Sequence, residues 1–149
     1  MFFLNKEKIL VSACLVGKDT KYNGSNNKNE KIIEFIKDKE VILICPEVMG
    51  GLSIPRLKSE IDSNSKDLKV INEEKIDVSS YFIQGAYKAL KLALDNDVKL
   101  AIVKERSPSS GYKKIYNGEF NGTIIEGSGI FTRLLKQHHI KILTEEDFI

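Results

Sequence analysis

The sequence predicts an α/β fold: a mainly parallel sheet of about four strands with helices on both faces. Two observations carry that prediction. Short apolar runs rich in β-branched residues recur along the chain, and amphipathic segments of helical period separate them, as crossovers between parallel strands must. Length bounds the answer. With 149 residues, 42% of them hydrophobic, one domain spanning residues 1–149 is expected, burying roughly two thirds of its unfolded surface. Neither a disulfide nor a structural metal is needed to hold it.

Residues 9–13 form the first apolar run and stop at Cys14; residues 41–44 repeat the pattern and stop at Cys45. Both read as strands buried on two faces. Residues 100–103 supply a third strand and residues 140–143 a fourth. Within residues 29–38, Ile32, Ile33, Phe35 and Ile36 fall at helical spacing with charged residues between them, which predicts an amphipathic helix. Residues 79–96 predict the longest helix, with Phe82, Ile83, Ala86, Leu90, Ala93 and Leu94 as its apolar stripe and Asp77 or Ser79 at its start. A third helix is expected over residues 128–138, facing inward through Ile130, Phe131, Leu134 and Leu135. Two stretches break the alternation. Residues 53–77 are polar, with a pair of strands expected around residues 68–71, and residues 107–129 hold five glycines and the turn signals Asn117-Gly118 and Asn121-Gly122. Long insertions in a compact α/β domain are more often functional than idle.

Charge and composition exclude some functions. The 23 Lys and Arg exceed the 21 Asp and Glu by two, and the two signs are interleaved, which argues against a nucleic-acid polymer as partner. No apolar run approaches the roughly 20 residues of a bilayer span, and the first eight residues lack the order of a signal peptide, so a cytoplasmic protein without membrane contact is expected. Cys14 and Cys45 are not expected to pair in such a compartment.

In an open parallel sheet, ligands bind beyond the carboxyl ends of the strands. Three segments sit there: Ser12-Ala13-Cys14-Leu15-Val16-Gly17, Cys45-Pro46-Glu47 and Glu105-Arg106-Ser107-Pro108-Ser109-Ser110-Gly111. Thiolates at Cys14 and Cys45 suit soft metals. Glu47 suits proton transfer if partly desolvated, and the serines offer hydroxyls and backbone amides to an anion or a polar ring. Plainer readings stand beside these. A strand-end cysteine is more often a small buried hydrophobe, Arg56 and Glu60 read as surface charges, the serine stretch as a turn, and His138 and His139 as favourable charges at a helix end. Convergence of sulfur, carboxyl and hydroxyl groups at one edge favours the functional reading.

Read in order, Ser12-Ala13-Cys14-Leu15-Val16-Gly17, Lys21-Tyr22-Asn23-Gly24, Cys45-Pro46-Glu47, Gly50-Gly51-Leu52, Pro55-Arg56, Glu60-Ile61, Asp77-Val78-Ser79, Gly85-Ala86 and Lys104-Glu105-Arg106-Ser107-Pro108-Ser109 resemble the bacterial domain-of-unknown-function family 523. Ile115-Tyr116-Asn117-Gly118 and Glu126-Gly127 also fit. The resemblance spans nearly the whole chain. It implies a Rossmann-like domain and a thiouracil desulfidase, in which three cysteines hold a four-iron four-sulfur cluster and one iron lacks a protein ligand. Carried over, it implies Cys14 and Cys45 as cluster ligands, Glu47 in proton transfer, and Ser107 or Ser109 in catalysis. The implied partner is a small thiolated heterocycle such as 2-thiouracil, whose thiocarbonyl sulfur is replaced by oxygen from water.

One position departs from the family pattern. The family motif runs Ser-Pro-Ser-Cys-Gly, and Ser110 stands where the third cysteine belongs. A hydroxyl loses its proton far less readily than a thiol of pKa about 8.5, so the 4Fe-4S cluster is expected to be labile or absent in this chain. The alternative is a non-catalytic anion- or nucleotide-binding module using the same loops, with Arg56 or Arg106 as its charge. Zinc fits poorly, since two cysteines, a serine and a carboxylate make a weak tetrahedral set.

Overall fold

The computed structural model describes residues 7–149. Residues 1–6, most of the stretch weighed as a signal peptide, lie outside the described residues. In chain order come β1 (Lys8–Ser12), α1 (Glu30–Phe35), β2 (Glu40–Ile44), α2 (Pro46–Met49), β3 (Ser59–Ile61), β4 (Val70–Asn72), α3 (Ser79–Asp95), β5 (Leu100–Val103), β6 (Lys114–Tyr116), β7 (Ile124–Glu126), α4 (Ile130–Gln137) and β8 (Lys141–Thr144). One-turn 3-10 helices follow β1 (Ala13–Val16) and β8 (Glu145–Asp147).

The expected parallel sheet forms, in the order β2-β1-β5-β8. Side chains alternate across each strand, and both sets are apolar. Leu10, Ile44, Ala101, Val103 and Ile142 join the core beneath α3 and α4. Ile9, Val11, Leu100 and Ile102 pack on the opposite side with Ile32, Ile36, Leu15 and Phe148. Helices therefore cover both faces. Asn29 caps α1 by accepting the Ile32 N–H at 3.0 Å, as a short polar side chain does at a helix start.

The two irregular stretches become antiparallel pairs. β4 lies where a strand was expected, but its partner β3 comes from upstream, with Glu60 opposite Ile71. β6 and β7 pair with Ile115 opposite Ile125, and both Asn-Gly signals fall in the connection between them.

The longest helix corrects the expected stripe. Phe82, Ala86, Ala89, Leu90 and Ala93 are buried, whereas Ile83 and Leu94 are 38% and 48% exposed. Small residues explain the rotation: Gly85, Ala86, Ala89 and Ala93 let neighbouring backbones come close, so the seam follows them and turns the larger pair outward.

At the α2–α3 crossing a Cβ on Gly85 would lie 1.7 Å from the Pro46 carbonyl oxygen, and one on Gly50 would lie 1.9 Å from that of Tyr81. Backbone meets backbone there. Intrinsic propensity favours Ala over Gly in a helix by about 1 kcal/mol, yet Gly85→Ala must push α2 away. We expect a net destabilisation of about 1–3 kcal/mol in urea unfolding; a variant as stable as the parent would contradict this packing.

Candidate functional site

Parallel pairing places Ser12 beside Ile44 and Val11 beside Ile102. The chain segments leaving β1, β2 and β5 therefore emerge together. Between them lies a cavity of about 260 Å³ lined by all three predicted loops, including Cys14, Cys45, Glu47, Ser107, Ser109 and Ser110.

Cys14 sits in the 3-10 turn after β1, and Cys45 precedes α2. Both thiols are free and half-buried. The Asn27 side-chain amide donates to Cys14 Sγ at 3.4 Å, and Cys45 Sγ lies 3.9 Å from the Thr20 carbonyl oxygen. Burial pushes the Cys14 thiol above its ordinary range, while Asn27 and the Lys104 ammonium pull it down. Burial likewise raises Cys45, opposed by the backbone N–H groups of Val48 and Glu47 and by the Arg56 charge. Each thiol thus sits in a dry wall supplied with donors that favour the thiolate.

Arg56 and Glu60 are not surface charges. The Arg56 side chain is 6% exposed; its Nη2 donates to Glu47 Oε2 at 3.2 Å and to the Thr20 carbonyl at 2.9 Å. Burial raises the Glu47 carboxyl above the usual carboxylate range, and Arg56 opposes the rise through its charge and its hydrogen bond. Glu60, 1% exposed, accepts the N–H groups of Gly118 and Phe120 on Oε1 at 3.0 and 3.1 Å. Lys58 Nζ lies 3.9 Å from its Oε2. Glu60 is buried and Glu47 half-buried because the polar insertions fold over the strand ends instead of into solvent, each meeting a cation there.

The serine stretch is a turn and also a wall of the cavity. Ser107 Oγ accepts the N–H groups of Ser109 and Ser110 at 3.1 and 3.3 Å and lies 2.9 Å from Ser109 Oγ. With both lone pairs of Ser107 so engaged, its own proton goes to Ser109, leaving the Ser109 proton unassigned. Ser110, 3% exposed, donates through Oγ to the Lys104 carbonyl at 2.8 Å. The first turn of α4 meets the loop from below. Ile130 and Phe131 donate their N–H groups to the carbonyls of Pro108 and Ser109 at 2.9 and 2.8 Å, and Thr132 Oγ1 donates to that of Ser110 at 2.8 Å. The free N–H groups that every helix start carries are thereby satisfied.

Two further lining residues carry little sequence signal of their own: Asn27 belongs to a polar loop with no motif, and Lys104 stands out only as the start of the serine motif. Glu145, outside the cavity lining, comes from the far end of the chain, and its Oε2 holds Lys104 Nζ at 2.8 Å. His138 and His139 lie at the end of α4 and do not line the cavity.

An α/β protein with a pocket bearing two thiols at the carboxyl edge of a parallel sheet is the class that this geometry defines. The chain belongs to the 2-thiouracil desulfurase family, whose model matches residues 9–147. It is 39% identical over 145 residues to the uncharacterized protein YbbK of Bacillus subtilis (strain 168), covering 93% of this chain and 96% of that one. The solved structure of a [4Fe-4S]-dependent thiouracil desulfidase, TudS, is similar with a TM-score of 0.86 at 38% identity, over 95% of this chain and 93% of the other.

The Glu47–Arg56 pair yields a signed prediction. Because the guanidinium is what lowers the carboxyl, Arg56→Met should move the Glu47 titration further upward. Carbon-13 NMR of the carboxyl across a pH series reads this directly; an unchanged or lower midpoint would contradict the pairing.

Proposed function

We propose that this chain is a desulfidase that exchanges the thiocarbonyl sulfur of a thiolated pyrimidine, such as 2-thiouracil, for oxygen. In this reaction a carbon–oxygen bond forms from water and the carbon–sulfur bond breaks. Sulfur departs as hydrosulfide with one proton, and a base takes the other; no electrons are transferred. One observation carries the reading: two free thiols, a half-buried carboxyl of raised pKa and a hydroxyl wall line the same cavity.

The similar desulfidase depends on a [4Fe-4S] cluster. Cys14 and Cys45 fit it, being soft donors on neighbouring strand ends. The resemblance puts Ser110 at the third place, where its hydroxyl is a hard donor that gives its proton to the Lys104 carbonyl. No group of three or more His, Cys, Asp and Glu side chains suited to a metal occurs among the described residues. Cys14 and Cys45 would hold the cluster, with Ser110 completing the set weakly. When bound, the cluster supplies a soft iron with affinity for thiocarbonyl sulfur.

The other roles follow from this chain's own groups. Burial keeps Glu47 protonated to higher pH than an exposed carboxyl, which suits it to hold and pass a proton at a carboxyl oxygen. Ser109, receiving the Ser107 proton, can offer its own to a ring nitrogen or oxygen, and Ser107 fixes its orientation. Arg56 keeps the Glu47 carboxyl facing the cavity.

A second reading has one observation in its favour. Arg106 lines the cavity and has no ion-pair partner among the described residues, as an anion-binding module requires. Phosphate binding that survives both Cys14→Ala and Cys45→Ala, with no desulfidation, would support it.

Anaerobic reconstitution with iron and sulfide tests the desulfidase. We expect weak loading of the parent chain and a higher content of iron and acid-labile sulfide per chain in Ser110→Cys. Hydrosulfide release from 2-thiouracil should follow the loading, and Glu47→Gln should lower it by about 10²–10⁴-fold. Colourless protein in both forms would end the cluster proposal.

A further inference from the structure

The Glu105 carboxylate is 2% exposed and has no part in the proposed chemistry. Its Oε1 accepts four backbone N–H groups, those of Tyr112 at 2.6 Å, Lys113 at 3.1 Å, Lys114 at 3.1 Å and Arg106 at 3.3 Å. Its backbone is engaged as well. Its N–H donates to Glu145 Oε1 at 2.7 Å, and its carbonyl accepts Lys104 Nζ at 2.9 Å. We propose that Glu105 is a positioning residue of this pocket: its charge gathers the backbone on both sides of the serine turn and so sets where Ser107, Ser109 and Ser110 face the cavity.

A buried carboxylate is costly unless its oxygens are hydrogen-bonded, and turns alone rarely need one. Here the chain leaves β5, turns through four serine-motif positions and returns to β6, where a single parallel bridge joins Arg106 to Ile115 and the Arg106 N–H is shared with the Lys114 carbonyl at 3.1 Å, while the N–H groups of Tyr112, Lys113 and Lys114 find their acceptor in Glu105. Glu105 supplies that acceptor from the start of the same turn. The carbonyls of the turn are already held by the first turn of α4. Glu105 therefore completes the other half of the hydrogen bonding, and both ends of the loop become fixed relative to β5. Ser110 is tied to the same point, since its hydroxyl rests on the carbonyl of Lys104, the residue before Glu105. Loosening the carboxylate frees the wall without touching the sheet.

The inference deepens the desulfidase reading and rests on it for the catalytic arm, whereas its structural arm needs no cluster. Hydrogen exchange by mass spectrometry would be measured on the full chain as purified, comparing parent, Glu105→Gln and Glu105→Ala. The expected result is faster exchange over residues 106–114, about tenfold or more in Glu105→Ala and less in Glu105→Gln, which keeps an accepting oxygen without the charge. Strands β1 and β5 and helix α3 should exchange as in the parent. On reconstituted protein, hydrosulfide release from 2-thiouracil should drop about a hundredfold in Glu105→Ala through misplacement of the wall, with partial rescue in Glu105→Gln. Unchanged exchange over residues 106–114 overturns the proposal, as does an equal loss of protection in β1 and β5, which would mean a role in the fold alone. Full activity despite faster loop exchange overturns it too. Should Glu105→Ala fail to fold, Glu105→Gln decides by the same comparison. A parent chain that loads iron and sulfide but releases no hydrosulfide would count against the desulfidase, and the exchange result would still decide the positioning role.

Discussion

Everything at this site depends on the parallel pairing of β1 with both β2 and β5. That pairing sets Ser12 level with Ile44 and Val11 level with Ile102, so three separate loops emerge side by side. An antiparallel arrangement would send one of them to the opposite edge, and a shift of one residue would turn a buried strand face toward the wrong helix layer. The register is firm in β1 and β5, where both faces are apolar and covered; β2, expected to be buried on both faces, is an edge strand in which Leu43 is 39% exposed and Ile44 alone is fully buried. Core packing and site assembly are consequently one constraint.

Around the cavity, polar groups are buried in a way that the packing alone does not require. Arg56 spans Glu47 and the Thr20 carbonyl, Lys104 spans Glu145 and the Glu105 carbonyl, and Glu60 ties the β6–β7 connection to β3. Each joins segments far apart in sequence. Breaking such a pair leaves its partner charged and without compensation in a dry place, which is costly. The arrangement thus favours one geometry of the loops over many, and the thiols inherit that precision through Asn27 and the start of α2.

Much of this was legible in the residues. The four strands of the main sheet and the three longer helices follow from periodicity and from where apolar runs stop, and Cys14, Cys45, Glu47 and the serine turn follow from the rule that parallel sheets bind at their carboxyl ends. What stayed hidden was hidden for physical reasons. Ile83 and Leu94 have the right spacing for the core, but small residues on α3 chose the seam. Arg56 and Glu60 resemble surface charges because sequence does not record that an insertion folds back over them. Glu145 is about forty residues from Lys104, and a pairing across that distance leaves no local trace.

The claim that the sulfurs of Cys14 and Cys45 share one pocket can be tested without cluster, substrate or activity. A trivalent arsenical binds stably where two thiols can be drawn together and poorly to isolated ones. Anaerobic titration of the metal-free chain, followed by intact-mass measurement after alkylation, should find one arsenic per chain with neither thiol left to alkylate. Two thiols that remain independently alkylated, with no arsenic retained, would contradict the account at its base.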